Sequence, residues 1–121
     1  MNLKKLEAIA AAEVEAILAP LPAPLRQQAR KLPVLFERQP SRALQSEGIE
    51  PDTLGLFTGP EFAEEEHVTL PPQIILYLEN IWDAAEGDEG LFREEVRTTF
   101  LHELGHYLGL DEDELTERGL E

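Results

Sequence analysis

The stretch His102 to Asp113, H-E-L-G-H-Y-L-G-L-D-E-D, constrains this chain more than any other. Its two histidines stand four residues apart. Only on an α-helix does that spacing put both imidazoles on one face, one turn above the other, where they can grip a single metal ion. Glu103 lies beside them, off the ligand axis, placed for a carboxylate to hold and deprotonate a water on that metal. The chain must therefore form a helix through His106. It must also turn back afterwards, because catalytic zinc takes three protein ligands and keeps its fourth position for water. Gly109 falls where a helix ending near Leu108 wants a left-handed residue. Beyond that turn Glu112 is the expected third ligand, with Asp111 and Asp113 as alternatives on either side.

The rest of the sequence supports a metal there. Two of the three histidines in 121 residues lie inside the motif, and there is no cysteine. Histidine and carboxylate are then the strong ligands available, and the third must be an oxygen or His67. Asp111, Glu112, Asp113 and Glu114 cluster just past a helix C-terminus, where the macrodipole disfavours negative charge. A bound dication removes that conflict. Without metal, the same residues make a solvated helix end followed by an acidic tail.

The run H-E-L-G-H-Y-L-G-L-D-E-D-E-L resembles the signature of the mini-zincin metallopeptidases, an aspzincin-like family with the pattern HExxHxxGxxD. The likeness extends upstream through an N-terminal helix, a proline-containing turn, V-L-F-E-R-Q-P-S, T-L-G-L-F-T-G, I-I-L-Y-L and the long helix, which follow one another in the family's order. The chain departs from the pattern at Glu112, where the family usually has aspartate. The carboxylate is kept and lengthened by one methylene. The resemblance implies an α+β, minimal zincin-like fold, a small mixed sheet packed on an active-site helix and N-terminal helices. It also implies a zinc-dependent peptidase acting on a peptide or protein substrate, with His102, His106 and Glu112 as ligands and Glu103 as general base. Zincins place an edge strand alongside the active-site helix, and His67 to Leu78 is the candidate for it; the alternative is that this region supplies a purely structural central strand.

A chain of this length with 42% hydrophobic residues can bury one modest core, so a single domain over 1–121 is expected. A formal net charge of −15 repels nucleic-acid phosphates and anionic membranes. Neither is an expected partner. Glu7, Glu13 and Glu15 interrupt the apolar run after Lys4 and Lys5, and nowhere are there enough consecutive apolar residues to span a bilayer. The expected location is the cytoplasm. Oligomeric state leaves no trace in the sequence.

Apolar residues at threes and fours predict an amphipathic helix from Leu3 to Ala19, stopped by Pro20, Pro22 and Pro24. A second helix is expected from Pro24 to Lys31 and an edge strand within Leu32 to Arg38. Ser41 should cap a short helix ending at Gly48. Thr53 to Thr58 is a possible strand in an irregular stretch, Ile49 to Pro60, that is a candidate cleft wall. Glu61 to Glu66 suits a solvated turn, and His67 to Leu70 and Gln73 to Leu78 are extended. The second of these has the highest β-branched and apolar content of any run. A short helix from Ile81 to Glu86 carries Trp82 as a core anchor. Then a long helix runs from Leu91 to Leu108, with Phe92, Val96, Phe100, Leu101, Leu104 and Leu108 on its buried side and Glu95, Thr99, His102 and His106 along a polar stripe. Leu115 to Glu121 makes a final helix or tail.

Two rivals remain to hydrolysis. Zinc could tie the long helix to the following turn in a closed, non-catalytic structural or interaction domain. Alternatively the motif is vestigial and no metal binds. Tyr77, Tyr107, His67 and Arg97 have the chemistry to stabilise an oxyanion, and each also suits packing or the surface.

Overall fold

The computed structural model describes residues 2–59, 72–110 and Glu114. The expected strand at His67–Leu70, the acidic turn at Glu61–Glu66 and the C-terminal helix from Leu115 lie outside the described residues. Helix α1 spans Leu3–Leu18, started by Asn2, whose side-chain oxygen accepts the Lys5 N–H at 2.9 Å. Its buried residues Leu6, Ala10, Val14 and Leu18 recur every fourth position and pack on the long helix α5, Glu89–Leu108. Helix α2, Ala23–Arg30, carries proline in its first turn, where the missing N–H has no helical acceptor to lose. Ser41 caps α3, Arg42–Ser46, by accepting the Leu44 N–H, and Gly48 exits it at φ 104°.

Among the described residues three strands form one mixed sheet: β1 Val34–Glu37, β2 Gly55–Thr58 and β3 Gln73–Tyr77. Their order is β1-β3-β2, with β1 parallel and β2 antiparallel to β3. The apolar Q-I-I-L-Y run is thus the central strand, hydrogen-bonded on both sides. The Gln73 to Leu78 part of the expected edge strand is accordingly corrected. Among the described strands, the one at the end of the order and beside α5 is β2, built from the glycine-containing G-L-F-T. High β propensity marks a strand that is buried on both faces, and the margin needs less of it.

Side chains alternate across the sheet. Ile74 and Leu76 face the helices and join Phe92, Val96, Phe100 and Leu104 of α5 in the core. Helix α4, Leu78–Ala84, follows directly from β3 with Tyr77 as its N-cap, three residues before the expected start. Trp82 is half-buried and meets Phe92 edge-on at 5.7 Å. Helices α1, α2, α4 and α5 sharing a core with a mixed sheet make this the α+β, minimal zincin-like arrangement that the sequence implies.

Candidate metal centre

Helix α5 sets the geometry. Asp88 starts it by accepting the Leu91 N–H at 2.9 Å, so the helix begins at Glu89 and takes Gly90 into its first turn. At the other end Gly109 adopts φ 70° and ψ 31°. The Leu110 N–H donates to the Gly105 carbonyl and the Gly109 N–H to the His106 carbonyl, the paired bonds of a Schellman ending. Leu110 then packs on the core and holds the departing chain against the body of the protein. The left-handed residue expected at Gly109 is present.

His102 and His106 stand side by side on α5 with ring centroids 4.6 Å apart. Both are more than half exposed, at 57% and 53% of their side-chain surface, whereas the Glu103 side chain between them is 9% exposed. The three side chains bring one potential ligand atom each to within 4.8 Å of one another. Glu103 Oε1 lies 3.4 Å from His106 Nδ1 and Oε2 lies 3.9 Å from His102 Nε2. A carboxylate this buried needs a donor, because charge taken out of water without one is costly. The Phe57 backbone N–H, on β2, donates to Oε1 at 3.0 Å.

Strand β2 lies along α5 at positions spaced by four on one helix face. A Cβ on Gly55 would sit 2.5 Å from the Thr99 methyl, so only glycine fits that approach. The Phe57 N–H meets Glu103, and the Phe57 ring meets Tyr107 at 5.9 Å. Thr99, Glu103 and Tyr107 are i, i+4 and i+8, the stripe beneath the strand, and all three are buried. Asn80 fixes the approach to β2 by donating to the Pro51 and Thr53 carbonyls at 2.8 and 2.9 Å.

An exposed pair of imidazoles one turn apart, a buried carboxylate between them and a sheet margin alongside are the parts of a zincin site. Residues 29–120 match the family model of the zincin-like metallopeptidases, three quarters of the chain. The chain belongs to that family. No curated protein matches it. The zincin-like segment begins at the end of α2, and α1, which packs on α5, lies N-terminal to it.

The candidate ligands His102 and His106 fit a zinc ion by donor type and position, since zinc accepts imidazole nitrogen and the two histidines share one face of α5. The expected third ligand Glu112 and its alternatives Asp111, Asp113 and His67 lie outside the described residues. Among the proposed oxyanion stabilisers, Arg97 reaches Glu13 on α1 at 3.7 Å instead. Tyr77 is fully buried, and its hydroxyl has no hydrogen-bond partner among the described residues. Burial, with the Glu37 carboxylate nearby, pushes that phenol above the usual tyrosine range. Tyr107 packs its ring beneath Phe57. No helix among the described residues is long and apolar enough to cross a membrane.

The sequence did not point to Phe57 or Gly55. Glycine inside a strand is a known sign of close backbone approach, and Gly55 is the signal that could have exposed this contact. A backbone donor carries no side-chain mark. Thr99, expected along the polar stripe, is buried, because β2 covers it.

Proposed function

We propose that this zincin-like chain is a zinc-dependent peptidase that hydrolyses peptide bonds with Glu103 as general base. The observation that carries the reading is the buried Glu103 carboxylate set between two exposed imidazoles and bonded to a strand that lies along the same helix. His102 and His106 would hold the ion, with Glu112 as the third ligand. Zinc, when bound, supplies Lewis acidity toward the scissile carbonyl and lowers the pKa of a coordinated water.

The chain's own residues do the rest. Glu103 accepts the proton of the attacking water while the new C–O bond forms. It then returns that proton to the amine as the C–N bond breaks, so the carboxylate ends as it began. An extended peptide lying along α5 would join the sheet as an added strand through its backbone groups. That pairing reads backbone rather than side chains, which supports a peptide or protein substrate.

The test is Glu103→Gln, which keeps the size of the side chain and an oxygen to accept from Phe57. The variant should retain zinc and melt within a degree or two of the parent, while cleavage of a broad peptide library falls by about 10²–10⁴-fold. Zinc retained in both forms with no cleavage by either would instead assign the metal a structural role.

A further inference from the structure

The edge strand does more than border the site. We propose that the backbone amide of Phe57 is a positioning group for Glu103, fixing which carboxylate oxygen remains available to take up a proton; this rests on the peptidase role of Glu103. The Phe57 N–H donates to Oε1 at 3.0 Å and leaves Oε2 directed toward His102. The donor is rigid because its strand is rigid. Tyr77 N–H donates to the Leu54 carbonyl, and Leu56 stands opposite Ile75 in the same ladder, so the alternating residue Phe57 turns its amide outward, away from β3. Gly55 against Thr99 and the Phe57 ring against Tyr107 hold that amide over α5 from both sides.

A backbone N–H suits this task better than a side chain. It has no torsion of its own to adjust, and a charge-assisted bond to a buried carboxylate is among the stronger hydrogen bonds available. The same bond removes one donor from the margin of β2.

Two measurements decide it. Amide hydrogen exchange at Phe57, followed in the zinc-free and zinc-loaded protein without substrate, should quicken about 10–100-fold in Glu103→Ala. Glu103→Gln should restore protection, while Leu56 and Ile75 stay as they were. Phe57→Pro removes the N–H and Phe57→Ala removes only the ring; proline is admissible because this amide is not part of the β3 ladder. On a peptide that the parent cleaves, kcat of the proline variant should fall about 10–100-fold below that of the alanine variant, with equal zinc content and KM. Unchanged Phe57 exchange in Glu103→Ala, equal kcat in the two Phe57 variants, a higher kcat in Phe57→Pro or an effect confined to KM would each overturn the proposal. A parent that cleaves nothing would sink the peptidase reading and this role with it. The exchange result, obtained without substrate, would still show whether the contact itself was the error.

Discussion

Glu103 and Gly55 illustrate how single residues shape the centre from opposite sides. Glu103 is chemically explicit: a carboxylate between two histidines at helical spacing has few other uses, and its place was legible from five letters of sequence. Gly55 acts by what it lacks. Its missing Cβ lets β2 settle on Thr99 and so delivers the Phe57 amide to the carboxylate. Gly55→Ala should destabilise the fold by about 1–3 kcal/mol through overpacking. Thr99→Ser in the same chain removes the colliding methyl and should recover most of that loss. Urea unfolding of the two single variants and the double variant measures the coupling, and simple additivity of the two effects would mean the close contact is absent.

At the scale of elements, α5 was the most legible because its two ends are set by local chemistry. Gly109 adopts the left-handed turn its position required. Gly109→Ala should cost about 1–2 kcal/mol and, where the following acidic residues complete the site, weaken zinc binding as well; titration calorimetry separates the two effects. The start of α5 was set two residues late because Gly90 reads as a breaker, whereas the Asp88 cap outweighs it. The strands were harder. Apolar content identified β3 as a strand but not its neighbours, since pairing partners come from tertiary packing rather than from the segment itself. The junction of α1 and α2 gives a pH test. Arg30 hydrogen-bonds Glu15 through both oxygens and holds that carboxyl below its ordinary range. A lowered folded pKa adds stability above the unfolded value that is lost as pH falls through the folded one. Arg30→Ala should therefore flatten part of the acid-side fall in Tm, and the difference should shrink in high salt because the pair is exposed.

For the whole molecule, the family and the α+β class were legible because the motif and the order of elements agree with one another. What the sequence withheld is contact between segments distant in the chain, above all β2 against α5, 46 residues apart at the Phe57–Glu103 bond. The formal charge of −15 adds a complication at this scale, since acidic surface can collect divalent cations without any built site. The central claim is that His102 and His106 hold the metal, and zinc per chain measured after gel filtration tests it most directly. The parent should carry about one tightly held equivalent and the His102→Ala/His106→Ala double variant essentially none at equal fold content. Equal zinc in both proteins would place the metal on the acidic surface and contradict the account.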